Sequence, residues 1–248
     1  AYMGRGGWLF YRPDVDALLR PAARLETAAQ GVAEFAADLA QRGIRLVLVP
    51  TPGKASIHPE QIARGRDRGN APLMPSGWDT FGENLQSAWK KAEAARDLPD
   101  ELAPVAVDPS RLLRERAVSS GEAQYLVNDS HWSPSAMEAV AAEIATAAGG
   151  ARAMTEPQPV RPIEGLGDTA RMLELPAGSP LLQTQEVIVS PVEGWMPDRE
   201  APLLLLGDSY TNIYSAEDLG WGTGAGLAER LSQRLGYRVD RLSRNDAG

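Results

Sequence analysis

The chain has 248 residues, a formal net charge of -8 and no cysteine. That length fits one large α/β domain. The missing cysteine excludes thiol nucleophiles, disulfides and thiolate metal sites, and the acidic balance argues against a nucleic-acid partner.

Hydrophobic residues make up 43% and charged residues 23%, the balance of an ordinary globular domain with a substantial core. No apolar run is long enough to span a bilayer. The opening Ala1-Tyr2-Met3-Gly4 reads as the start of a mature or trimmed form, without a signal peptide, and the closing Ser243 to Gly248 as a truncated end.

Along the chain, Trp8 to Tyr11 reads as a short strand or a buried anchor. Ala22 to Gln41 predicts a helix with Leu25, Val32, Phe35, Ala36 and Leu39 on its apolar face, stopped by Gly43. Ile44 to Pro50 predicts a buried strand, and helix, glycine, apolar strand is the rhythm of an α/β layer fold. Thr51-Pro52-Gly53-Lys54 then turns at the strand's C-terminal edge, where open α/β sheets bind ligands, so Lys54 is weighed as a site residue against a structural role. His58, in Ser56-Ile57-His58-Pro59-Glu60, reads as part of a loop lining the cleft. Arg64 to Arg68 is a brief basic run, either a solvated loop or a rim contact for an anionic polymer.

Phe81 to Arg96 predicts a helix burying Leu85, Trp89 and Ala92; Val105 to Asp108 predicts a strand; Pro109 opens a further helix with Leu112, Leu113 and Arg116 in register. Ser133 as cap and Pro134 at the first helical position start a helix through Met137, Val140, Ala141 and Ile144. Ala151 to Glu164 reads as a proline-rich loop, and Glu186 to Val189 as a strand in a small inserted lobe around 151–200 of an otherwise single domain. Leu203 to Leu206 predicts a central strand, Gly222 to Leu235 contains a helix ending at Gly236, and Tyr237 to Asp240 predicts the last strand.

Chemistry concentrates in two segments, Asp129-Ser130-His131-Trp132 and Gly207-Asp208-Ser209-Tyr210. A serine is a weak nucleophile and needs a base, which needs an orienting acid. Ser209 follows a strand, where a strand-to-helix turn exposes the hydroxyl and aims its N–H at a developing oxyanion. Asp129 and His131 stand two apart, close enough to bond directly, and Asp129 is preferred over Asp208 as the acid because neighbouring side chains diverge. The plain alternatives are helix caps: Asp208-Ser209 after a strand, and His131 on the approach to Ser133. Two histidines and no cysteine leave little for a metal, and none is expected.

These motifs resemble those of a known group: the SGNH-hydrolase-like catalytic domain of bacterial exopolysaccharide, alginate-type O-acetyltransferases, represented by AlgJ and AlgX. The resemblance rests on Gly7-Trp8-Leu9-Phe10, Val49 to Lys54 with Pro59-Glu60, Asp129-Ser130-His131-Trp132, Gly167-Asp168 with Met172-Leu173, and Gly207 to Tyr210. It implies a three-layer, flavodoxin-like α/β fold with a mainly parallel sheet, and a motif order permuted so that Asp-x-His precedes the serine.

The resemblance further implies a Ser209, His131, Asp129 triad and a periplasmic O-acetyltransferase working through an acetyl-serine without a cofactor. The same resemblance supplies the expected partners: an acetyl donor relayed by an MBOAT-type membrane acyltransferase, a polysaccharide acceptor, and other export-complex proteins. Membrane anchoring would come from a segment preceding Ala1. Asn245 is the candidate oxyanion donor, with Tyr210 and Trp132 as pocket walls. An acetylesterase of the same fold, or a non-catalytic scaffold, are the alternatives.

Overall fold

The computed structural model of the protein describes residues 1–65, 69–150, 159–180 and 182–245. Arg66, Arg68 and Pro157 therefore lie outside the described residues, as does the first part of the loop expected from Ala151.

The N-terminal anchor forms as expected. Strands β1 (Tyr2–Met3) and β2 (Leu9–Phe10) pair antiparallel, and Trp8, Leu9 and Phe10 are buried. Helix α1 (Arg12–Ala17) follows, and then α2 (Ala23–Ala40), whose extent the sequence had indicated and whose buried face it had indicated in part: Ala36 is buried and Leu25 and Val32 pack beside it. Phe35 is 47% exposed, while the inward stripe is Ala29, Ala33, Ala36, Ala37 and Ala40. The alanines face inward because small side chains let a neighbouring helix approach closely, which a phenylalanine would block. That neighbour is α5 (Phe81–Arg96), reached through β3 (Val47–Leu48), α3 (Lys54–Ile57) and α4 (Pro59–Ile62). It buries Phe81, Leu85, Trp89 and Ala92 against the alanine stripe, forming a core cluster of its own. Arg96 fastens the pair by bonding Glu34 and, at 2.7 Å, Asp38.

Strand β3 pairs in parallel with β4 (Val105–Ala106), Val47 opposite Val105. Its ladder is shorter than the apolar run Ile44 to Val49, and Ile44 is exposed. Helix α6 (Ser110–Ser120) turns Leu113 and Arg114 inward, and α7 (Pro134–Ala147) opens with the Ser133 hydroxyl accepting the Ala136 N–H at 3.3 Å, burying the expected Met137, Val140, Ala141 and Ile144.

Part of the expected proline-rich loop is instead β5 (Arg161–Gly165), antiparallel to β6 (Gln185–Val189), with the short α8 (Asp168–Arg171) between them. Pro162 is tolerated because this strand pairs on one side only. Val187 and Val189 join the main core cluster.

The last unit is β7 (Leu204–Gly207), α9 (Ser209–Asn212), α10 (Leu227–Leu235) and β8 (Asp240–Ser243). Strands β7 and β8 are parallel, Leu206 opposite Leu242. The expectation of a central strand needs correction: Leu204 and Leu206 are 52% and 54% exposed, while Leu203 and Leu205 pack on the core. Four leucines in a row carry no period, so one-sided and two-sided burial look alike in sequence. The last strand also begins three residues later than expected. Helix α10 ends at Gly236 with φ 78°, a left-handed conformation costly for other residues, and Tyr237 and Arg238 are used in leaving that turn before the ladder starts.

Among the described residues the ladders are two-stranded, two parallel and two antiparallel, within a mixed α/β architecture. The C-terminal ends of the parallel strands β3 and β7 feed the segments that build the site.

The separate α2–α5 cluster generates a test. Trp89→Ala should cost about 3–5 kcal/mol in urea unfolding, the range for emptying a buried tryptophan. The folded fraction should keep the near-ultraviolet signature of the other core, which holds Trp132 and Trp221.

Candidate active site

Ser209 owes its position to a strand end. β7 stops at Gly207, and Asp208 caps α9 by accepting the Tyr210 N–H at 3.0 Å, so Ser209 becomes the first residue of the helix. Its own N–H has no protein partner among the described residues, as expected for the first turn of a helix.

Asp129 and His131 sit on a tight buried loop. It is closed by a bridge between Tyr125 and Trp132 and by Leu126 N–H donating to the His131 carbonyl at 3.0 Å. Asp129 Oδ1 accepts both the His131 backbone N–H (2.9 Å) and the His131 ring Nδ1 (2.6 Å). Asp129 Oδ2 accepts the Asp168 N–H and the Trp221 indole N–H, each at 2.9 Å. Burial alone would raise the Asp129 carboxyl, but the His131 bond and charge, with the Asp168 N–H and the Trp221 indole, outweigh it and hold Asp129 well below the usual range.

His131 balances in the opposite sense. Burial lowers it, while the Asp129 bond and charge, aided by Asp168 and Asp208, raise it above the ordinary histidine value. With Nδ1–H committed to Asp129, the neutral ring carries its lone pair on Nε2. That atom is buried and has no hydrogen-bond partner among the described residues. Tyr210 packs against the ring at 4.9 Å between centroids and donates its hydroxyl to the Ser130 carbonyl at 2.9 Å, tying the serine helix to the histidine loop.

One cleft of about 660 Å³ is lined by Ser209, His131 and Asp129 together. Asp168, Asp218, Arg171, Arg244 and Asn245 also contribute to its polar wall. Asn245 is oriented by a relay: Ser243 Oγ donates to Asn212 Oδ1, and Asn212 Nδ2 donates to Asn245 Oδ1, both at 2.9 Å. With its oxygen so engaged, the Asn245 amide N–H group is left to face elsewhere.

The family model for the SGNH hydrolase-like domain of acetyltransferase AlgX matches residues 1–248. The chain belongs to this family. It is similar to the probable alginate O-acetylase AlgJ of Pseudomonas aeruginosa, 31% identical over 142 residues, a match spanning 56% of this chain and 30% of that relative's length. Of solved structures, it resembles the O-acetyltransferase domain of Pseudomonas putida AlgJ, with TM-score 0.60 and 22% identity over 99% of this chain and 80% of the other. It also resembles Pseudomonas aeruginosa AlgX, with TM-score 0.54 and 16% identity over 99% of this chain and 54% of the other. At these identities the two structures establish the SGNH-like fold.

Within this AlgX-type domain several expected site residues turn out to lie behind the cleft. Lys54 is 1% exposed and spends its donors on three backbone carbonyls, so it has none for a substrate. His58 is buried against Trp8; its Nε2 accepts the Gln124 N–H at 3.1 Å and its Nδ1 lies 3.6 Å from Glu60, so it does not line the cleft. Trp132 is fully buried and meets the edge of Tyr210, supporting the loop from beneath where a pocket wall was expected. Tyr210 likewise braces His131 and is not a cleft wall. Arg64 is exposed and away from the cleft.

Further residues support the acid and the imidazole, Gly167-Asp168 from a motif already noted and Asp14 and Trp221 without one. Asp168 accepts the Ser130 N–H (2.7 Å) and hydroxyl (2.5 Å), and its Oδ2 lies 3.8 Å from His131 Nδ1. Burial and then the Asp129 charge raise its carboxyl against the pull of His131 and Ser130. Gly167 precedes it at a point where any Cβ would overlap the Asn128 carbonyl, which is the physical content of the Gly167-Asp168 motif. Asp14, on α1 beside Gly53, is pushed up by burial to about 6, with the Asp168 and Asp208 charges assisting and His131 opposing. Trp221 gave no sequence signal, because its indole reaches Asp129 from 92 residues away.

Asp129, His131 and Asp168 bring potential metal-ligand atoms within 4.8 Å of one another. All four carboxylate oxygens already accept N–H or O–H donors, so an ion would have to displace them.

Trp221→Phe tests the carboxylate network. A bond to a charged group contributes about 1.5–3 kcal/mol, and the variant should lose stability of that order at pH 7. Because Asp129 is depressed in the folded state, this contribution is present above the unfolded aspartate value of about 3.9 and fades as pH falls below it. Urea unfolding at a series of pH values should therefore show the gap between parent and variant closing on acidification.

Proposed function

We propose that this domain is an O-acetyltransferase that carries an acetyl group on Ser209 and delivers it to hydroxyls of an alginate-type exopolysaccharide in the periplasm. The observation that carries the reading is His131: its Nδ1 is held by Asp129, its buried Nε2 has no hydrogen-bond partner among the described residues, and the residue lines the same cleft as Ser209. A non-catalytic scaffold has no use for a desolvated, unpartnered imidazole nitrogen. Membership of the AlgX family and similarity to AlgJ supply the acyl group and the class of acceptor.

In the first half-reaction Ser209 Oγ attacks the acetyl carbonyl while Nε2 takes the hydroxyl proton. Asp129 stabilises the resulting imidazolium. The Ser209 N–H and the Asn245 amide are the donors for the oxyanion. Collapse expels the donor's alkoxide, which leaves with the proton from Nε2. In the second half-reaction a sugar hydroxyl gives its proton to Nε2 and attacks the acetyl-serine, and the serine oxygen recovers the proton as it leaves. No cofactor enters either half.

In the cell the donor would be relayed by an MBOAT-type membrane acyltransferase. The polymer would be presented by other export proteins, with an N-terminal segment anchoring the domain to the inner membrane. Acetylesterase activity is the second reading. It is favoured by the exposure of Arg171 and Met172 at the cleft, which lets water reach the acyl-serine.

Two measurements test this. Incubation with 4-nitrophenyl acetate, followed by intact mass, should add one acetyl group to the parent chain and none to Ser209→Ala. Chasing with mannuronate oligomers should move the acetyl to sugar, and loss to water alone at an unchanged rate would make the domain an esterase.

The acetylation rate should climb with pH as His131 loses its proton, with a midpoint above the ordinary histidine value of about 6.5. In Asp129→Asn the rate should fall by on the order of 10⁴, as for other triads that lose the orienting acid. The midpoint of that variant should move down, because burial then acts on the imidazole without the carboxylate to oppose it.

A further inference from the structure

We propose that Lys54 is a positioning residue for this site, its ammonium forming with the Asp168 carboxylate a charge clamp on the single peptide unit between Asp129 and Ser130. The inference rests on the acyl-transfer reading above and deepens it by saying what holds the acid–histidine pair in register.

Lys54 is the first residue of α3, and its side chain points inward through the core. Its Nζ donates to the carbonyls of Leu9 (2.6 Å), Val127 (2.7 Å) and Asp129 (3.0 Å). An ammonium has three protons, and here each has an acceptor. A neutral amine would have two protons and would turn its lone pair on the third carbonyl. The Trp8 and Phe10 rings lie 4.9 and 5.2 Å from Nζ, offering the cation their faces. Burial pushes the ammonium down to about 7, and the Asp129 and Asp168 charges resist that loss. Three carbonyl acceptors and two ring faces favour the cation over the neutral amine, at a position where an apolar side chain would fill the same space without a desolvation cost.

What it accomplishes there is visible at the Asp129 carbonyl. That carbonyl and the Ser130 N–H belong to one peptide unit. The oxygen accepts from Lys54 at 3.0 Å, and the N–H donates to Asp168 Oδ1 at 2.7 Å. The peptide dipole therefore lies between a cation at its oxygen end and an anion at its N–H end. Turning the unit over would set the carbonyl against the carboxylate and the N–H against the ammonium. On one side of this peptide stands the acid, and one residue beyond it stands the base. Holding it fixes how Asp129 faces His131 and where Nε2 points. Lys54 touches no substrate and acts through Asp129.

Lys54→Met tests this, since methionine has similar length and suits the Trp8–Phe10 surroundings but donates nothing. Acetylation by 4-nitrophenyl acetate is followed to its end point by intact mass, so that rates are expressed per competent serine. The variant should still reach one acetyl per chain, with at least a tenfold fall in kcat and little change in KM. Asp168→Asn, which removes the anionic end of the clamp, should shift kcat in the same direction and serves if Lys54→Met does not fold. Because the chain has no native cysteine, Lys54→Cys aminoethylated while unfolded and then refolded should recover most of the rate. A lowered melting temperature with an unchanged rate per competent serine, in Lys54→Met or Asp168→Asn, would overturn the proposal. If the parent itself takes up no acetyl, the acyl-transfer reading fails. The clamp is then judged by hydrogen exchange at the Ser130 amide, which should quicken in Lys54→Met and sinks the proposal if it does not.

Discussion

A carboxylate at Asp129, almost wholly removed from water, is the constraint on which the site depends. An ionised group buried in this way is tolerated only when its lone pairs are filled. Four donors fill them, drawn from its own loop, from the start of α8 and from the segment before α10. Satisfying that charge brings distant stretches of chain to one place. It is one of several ties of the β5–β6 pair and α8 to the histidine loop, beside the Val127 N–H bond to Gln185 and the Ala170 N–H bond to Asn128, with Gly167 pressed on Asn128 so that the Asp168 N–H can reach.

Ser209 reaches the cleft by an independent route. The parallel pair β7–β8 carries Gly207 to the cleft, and the Arg244 N–H donating to the Gly207 carbonyl at 3.0 Å extends that ladder past the strand end. This contact sets Asn245 beside the serine helix, where Asn212 fixes its amide. Two modules therefore meet, one built on a buried charge and one on a strand-to-helix turn. Tyr210 joins them by packing on His131 and bonding Ser130 from the residue next to the serine.

Much of the fold was legible where one local rule acted without competition. Ser133-Pro134 opened α7 because cap chemistry and a fixed φ agree there, and α5 was bounded correctly because its apolar positions repeat at helical spacing over four turns. The α2 face was misjudged in part, for a physical reason. Leu25 and Val32 do pack on the inner face and Ala36 is buried as expected, but hydrophobicity also favours turning Phe35 inward, and there close approach to α5 favours alanine and decided. The strand at Leu203 to Leu206 was placed correctly and its exposure was not, since an unbroken apolar run holds no information about which face is covered.

Residue identity by itself placed Asp129 and His131 on a loop and Ser209 at a strand-to-helix turn, which is where the structure has them. It also determined the family, because motif order survives in sequence when overall identity is low. The tertiary structure alone decided which polar groups face the cleft and which are spent behind it. Lys54, His58 and Trp132 looked available because their chemistry is, yet hydrogen bonding and burial consume them. Asp168 was legible only as part of a motif and Trp221 not at all, and the Asp168 N–H and the Trp221 indole became donors to the buried carboxylate. Availability depends on what else reaches a donor or acceptor in space, and no spacing rule along the chain encodes a bond between residues ninety positions apart.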